Sequence, residues 1–214
     1  MKLFNKEITF HPIQSIKDVF TSLKWSQQRS KKGYCEYDLY SISDWFIKVM
    51  PNMIDEVRVK RLGIPAVLLE EAGKPYIDDP LKDFFTLPED VQDKIEKDAN
   101  KKWDEILTRM AFLMREAHED TCSRKNPYEE KYHKDREEFT SKYGDFGEKL
   151  LTKEDKEHAS KTGGRRAYFM YELPEYAEIS NNYFEEEDKL RNYREACQKE
   201  GIAMFVKWFS YLGI

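Results

Sequence analysis

The chain has 214 residues, 36% of them charged and 40% hydrophobic, and a formal net charge of −5. That length suits one domain or a domain with an appendage. No stretch approaches the ~18 apolar residues of a membrane span, and the acidic balance supplies no global field favouring nucleic acid. Three cysteines, Cys35, Cys122 and Cys197, are odd in number and widely spaced, which fits a reducing compartment better than a disulfide framework.

The first twelve residues, MKLFNKEITFHP, carry no apolar run before a small-residue cleavage site, so no signal peptide is predicted. Residues 3–10 read as a short strand. Ser15 and Asp18 have capping-box spacing and predict a helix start, with Ile16, Val19, Phe20 and Leu23 on one face. Residues 1–30 are therefore expected to form a strand-and-helix appendage. Residues 29–33 read as a basic loop and residues 34–40 as extended chain.

Ser41 and Asp44 repeat the capping spacing. The helix that follows places Trp45, Phe46, Val49, Met50, Ile54 and Val57 on one face, with Pro51 inside it. A mid-helix proline costs ~3 kcal/mol unless packing over-determines the helix. Residues 64–85, with Pro65, Gly73, Pro75 and Pro80, read as a long connection. Pro88 in a first turn then opens a central helix. Val91, Ile95, Ala99 and Trp103 keep a four-residue step. Ile106, Leu107, Met110, Leu113 and Met114 continue the stripe, with Asn100 as a candidate break. The stripe Trp103, Leu107, Met110 and Met114 is expected to bury against Trp45, Phe46 and Phe205.

After Asn126-Pro127 a charged surface helix is predicted over residues 128–142. Residues 143–166 follow as a long loop holding at most one short helix. Residues 167–173, AYFMYEL, are the best strand candidate. The last helix, from about residue 175 to 212, carries Ile179, Tyr183, Leu190, Cys197, Met204, Phe205 and Trp208 on one side. Ile202, Val206 and Phe209 form a second apolar side near its end. Because these residues point in several directions at ~100° per residue, the helix needs either a second internal layer or a partner. The internal layer, from residues 34–40 or the N-terminal helix, is the expectation. The whole is predicted as a mainly α single helical domain over 1–214, built on the central helix, with a minor pairing of short strands.

Chemistry-bearing patterns are sparse. His118 and Cys122 share a helix face and are weak metal candidates, but two more ligands are missing. Glu130-x-x-His133 matches half of a di-iron motif. Thr162-Gly-Gly-Arg-Arg166 places flexible glycines beside two guanidinium groups, a candidate anion or partner-contacting loop centred on Arg165 and Arg166. No acid is evident for these arginines in the strand expected to follow. Glu185 to Asp188 is an acidic run on the last helix, read as its solvated side. No nucleophile elbow, Rossmann fingerprint, P-loop or kinase set occurs. No catalytic residue and no cofactor are predicted.

The ordered series GYCEYDLYSISDWFIKVMPNMIDEV, a W-x-x-I-L helix running into EAHEDTCSRKNPYEEKY, then YGDFGEKL, TGGR, PEYAEI and a terminal MFVKWFSYL resembles a family of uncharacterised proteins from tailed-phage genomes and gut metagenomes. The resemblance covers residues 26–214. Where that family ends in a second Trp and an Asp, this chain has Leu212-Gly-Ile214. The resemblance carries no activity. It implies a phage or prophage gene product acting in a bacterial cytoplasm or packaged in a virion.

The functional expectation is a non-enzymatic accessory protein that binds a host or phage macromolecule, an inhibitor of a host defence system being one concrete form. The expected partner is a protein, not nucleic acid or membrane, and the chain is expected as a monomer or homodimer. Arg165, Arg166, Ile202, Val206 and Phe209 are the candidate contacts. A virion assembly component and a small metal- or nucleotide-dependent enzyme are the alternatives.

Overall fold

A computed structural model describes residues 2–3, 6–7, 12–76, 84–164 and 166–213. Among these the chain is mainly helical. Its α-helices are α1 (Pro12–Lys32), α2 (Ile42–Lys60), α3 (Ala66–Gly73), α4 (Glu89–Glu116), α5 (Glu129–Tyr143), α6 (Lys153–Thr162) and α7 (Pro174–Trp208). The strand expected over residues 3–10 lies mostly outside the described residues; of the described ones, Lys2–Leu3 and Lys6–Glu7 pair as two short antiparallel segments. The strand expected over 167–173 does not form. Its Met170–Glu172 portion is a 3-10 turn, held because the Glu172 carboxylate accepts the Phe169 backbone N–H at 2.9 Å.

Contacts divide the chain into two compact units, Met1–His118 with Glu200–Ile214, and Glu119–Lys199. The 35 residues of α7 span ~52 Å at 1.5 Å per residue. That exceeds the width of a small core, and α7 supplies residues to both units.

The first unit is built on α4. Pro88 precedes its first turn, and Glu89 and Asp90 place negative charge there, opposite the exposed N–H groups. The helix runs unbroken through Asn100. Ala99, Trp103, Leu107, Met110, Ala111 and Met114 form a buried cluster with Ile54 of α2, Leu68 of α3 and Trp208, and both α2 and α3 lie along α4. Phe46 and Phe205 pack on this cluster as expected, edge to face with ring centres 5.1 Å apart. Trp45 does not; it lines a surface cavity, and the indole facing Trp103 is Trp208, at 5.3 Å. α2 continues through Pro51, which is fully buried. Packing there outweighs the lost backbone bond.

Three local expectations need correction. Residues 64–85 are not all connection: Pro65 caps α3, its carbonyl accepting the Leu68 N–H at 2.8 Å, and buried Leu68 ties the helix to the core. Residues 29–33 are not a loop, because α1 begins three residues earlier than predicted and persists to Lys32. Gly33 ends it at φ +80. Residues 34–40 are not extended but include a 3-10 turn, Glu36–Leu39.

Asp38 is the reason for that turn. Its carboxylate accepts the Cys35 N–H at 2.8 Å and two bonds from Arg29, at 3.0 and 2.5 Å. The Arg29 guanidinium holds the Asp38 carboxyl below the ordinary carboxylate range against the opposing effect of burial, and the Cys35 N–H adds to the lowering. A depressed carboxyl contributes stability that is present above its unfolded pKa of ~4 and is lost as pH falls through the folded value. Asp38→Asn is therefore expected to lower stability at pH 7 by ~1.5–3 kcal/mol, the range for a charge-assisted bond. The gap between wild type and variant should narrow in denaturant titrations below pH ~4. A gap of equal size at pH 7 and pH 3 would remove this role from Asp38.

The second unit packs Phe139 of α5 against Met170, Tyr176 and Ile179, with Tyr132, Tyr143, Leu150 and Leu173 around them. Tyr132 and Tyr183 stack with ring centres 4.0 Å apart and planes 5° from parallel. Asn126 ties the entry to α5 onto α7. Its amide donates to the Tyr183 carbonyl at 3.0 Å and Glu187 at 2.9 Å, and its oxygen accepts the Tyr128 N–H. α6 fills part of the predicted 143–166 loop. Thr152 and Asp155 form its capping box, and Gly163, at φ +71, ends it.

Candidate functional site

An aromatic-lined cleft of about 220 Å³ lies in the second unit. Four segments build it. On α5, Tyr132, Arg136, Phe139 and Thr140 sit at i, i+4, i+7 and i+8 and so share one face. Asp145 and Phe146 come from the turn after α5, Tyr168 to Tyr171 from the chain before α7, and Ser180 and Phe184 from one face of α7.

Gly147 sets the approach of two of these segments. Its φ is +65, and a Cβ there would stand 2.7 Å from the Tyr168 Cβ and 3.0 Å from the Tyr168 carbonyl oxygen. Glycine alone suits both the left-handed backbone and that spacing. The Tyr168 N–H donates to the Phe146 carbonyl at 2.9 Å across the same junction. The Tyr168 hydroxyl donates to Asp155 at 3.0 Å, and this bond, with burial adding to it, raises its pKa.

Phe146, Phe169, Tyr171 and Phe184 are all exposed around the cleft, and Phe169 and Tyr171 lie parallel with centres 5.7 Å apart. Ser180 is 0% exposed, and its hydroxyl makes no hydrogen bond. Such an orphaned buried group is costly and calls for an explanation. The cleft thus combines stacking faces with polar groups.

No family model, curated protein or solved structure matches the chain.

The residues singled out from sequence do not converge here. Arg165 lies outside the described residues. Arg166, expected to lack a local acid, lies 3.9 Å from Asp155 and 3.7 Å from Glu172, with its guanidinium 4.4 Å from the Tyr168 ring centre. Asp155 comes from α6, a helix the sequence reading placed only vaguely. His118 Nε2 is 2.6 Å from Asp44 Oδ1 in the first unit, whereas Cys122 is buried in the second. Among the described residues, no group of three or more His, Cys, Asp or Glu is placed to hold a metal ion. His133 packs edge-on to Tyr132. In the acidic run, Glu186 pairs with Lys189, Glu187 with Arg194 and Asp188 with Arg191.

Ile202, Val206 and Phe209 are exposed by 36, 68 and 64%, so among the described residues the expected internal layer does not cover them. Residues 34–40 and α1 were the elements meant to supply it. They pack on one another instead, while Met204, Phe205 and Trp208 take the core side of α7. The first unit also has a cavity of about 510 Å³, lined by Arg29, Tyr37, Asp38, Asp44, Trp45 and Lys48 among others. Its charges are already matched: Arg29 pairs with Asp38, and Lys48 lies 3.4 Å from Asp44.

The sequence reading missed the cleft. A signal was present in the density of aromatics at Phe146, Tyr168, Phe169 and Tyr171 near two glycines, 144 and 147. Periodicity does not register it, because these residues lie outside regular helices.

Proposed function

We propose that this is a non-enzymatic accessory protein of phage origin that acts by occupying the surface of a host or phage protein. Inhibition of a host defence system in the bacterial cytoplasm is its most concrete form. The observation that carries the reading is the uncovered stripe Ile202, Val206 and Phe209. Ile202 and Val206, four apart on α7, and Phe209 in the 3-10 turn that follows give the end of the helix an apolar seam of the kind that seats in a partner's groove. Exposed apolar groups gathered on one face mark interaction sites more often than scattered ones do. The net charge of −5 argues for a protein partner over nucleic acid. A virion component that assembles through the same seam is the second reading, with the seam closing on another copy of the chain.

The test is affinity purification of the tagged protein from infected cells, in parallel with Val206→Glu. A defined partner that accompanies the wild type and is lost from a folded variant supports the proposal. A partner retained by the variant removes the seam from the interface. Light scattering that shows a wild-type oligomer, dissociated by the same substitution, moves the reading to self-assembly.

A further inference from the structure

The geometry points to the aromatic cleft of the second unit as a binding site for a single nucleobase, a small-molecule site independent of the α7 seam. Four observations carry this. First, the walls are stacking faces: Phe169 and Tyr171 are parallel and exposed at the mouth, and flat heteroaromatic rings bind such faces whatever their identity. Second, about 220 Å³ lies below the ~300–1,000 Å³ of sites that enclose a whole drug-sized ligand. The cleft holds one ring system, with any sugar or phosphate left outside.

Third, Ser180 borders this cleft, and its fully buried hydroxyl has no partner. A hydroxyl can donate and accept, and a ring edge in the cleft would satisfy it. Fourth, Thr140, Arg136 and Asp145 line the same space. Together with Ser180 they offer donors and acceptors of both kinds. A phenol or indole from a partner protein brings one polar atom and would leave most of these groups unanswered. A nucleobase brings several along one edge. Arg136 and Asp145 are exposed at the rim, where a cation can also meet a ribose or phosphate.

The base can come from a free nucleoside or from a single strand, and the experiment separates the two. Calorimetric titration of the full-length protein uses adenosine, guanosine, oligo(dA) and, as the competing chemistry, indole. The expected result is saturable one-to-one binding of a purine nucleoside. Ser180→Ala should weaken it about tenfold, the loss of one good hydrogen bond at a buried group, and Arg136→Ala by less because Arg136 acts from the exposed rim, with circular dichroism unchanged. Ser180→Ala should also leave the ligand-free melting temperature equal or higher, because it deletes an unsatisfied buried group. Tighter binding of oligo(dA), weakening steeply with salt, assigns the base to a strand; equal or weaker binding assigns it to a free nucleoside. Absence of purine binding, binding of indole instead, or a Ser180→Ala protein that binds purine as well as wild type overturns the proposal.

Discussion

Leu107→Ala is expected to lower the unfolding free energy by ~2–5 kcal/mol, the range for deleting a large aliphatic side chain from a filled core. Leu107 is 0% exposed and lies in the C-terminal half of α4. It belongs to the cluster that joins α4 to Ile54 of α2, Leu68 of α3 and Trp208 at the end of α7. Truncation therefore opens a void between several helices, none of which can close it without disturbing the others. The cost should fall at the upper end of that range. Urea titration followed by circular dichroism and by tryptophan fluorescence measures it. All four tryptophans, Trp25, Trp45, Trp103 and Trp208, lie in the first unit, so fluorescence reports that unit selectively. A loss under about half a kcal/mol, the size of an ordinary surface change, would contradict the central place of this helix.

Gly147→Ala is expected to cost ~2–5 kcal/mol, combining about 1–2 for a left-handed backbone with about 1–3 for crowding. The added Cβ meets Tyr168 Cβ and its carbonyl oxygen, which are backbone-fixed and cannot swing aside. Gly163→Ala is the internal control. Gly163 is also left-handed, at φ +71, but a Cβ there meets nothing within 4 Å, so only the backbone term of ~1–2 kcal/mol applies. Far-ultraviolet thermal melts of the two variants should therefore separate. Gly147→Asn, whose side chain tolerates left-handed backbone, should not recover stability because the crowding persists. Equal losses at positions 147 and 163 would show that the two segments do not meet as closely as described.

α4 was legible in the sequence because one helix face was written in a single unbroken register, from Ile95 to Met114. The Ser41 start of α2 was legible for a similarly local reason, its hydroxyl accepting the Asp44 N–H at 3.3 Å. α1 was placed late by three residues because Ser15 and Asp18 imitate a cap, while Pro12 is the first helical residue. α3 was hidden by the prolines and glycine around it, since eight residues give too short a window for periodicity to compete with breaker signals. Asp38 gave no sequence signal at all, because its role depends on Arg29 nine residues away arriving in register.

The sequence by itself determined the helical class, the buried face of α4, and two sides of apolar residues at the end of α7. Each is a property of neighbours within one or two turns, which spacing records. Tertiary structure alone decided which side of α7 stays uncovered and that Trp208, not Trp45, faces Trp103. It also decided that Arg166 meets Asp155 and Glu172, and that aromatics from four separate segments enclose Ser180. Those outcomes depend on contacts between residues far apart in the chain, where local pattern sets what each element must bury but not which element will bury it.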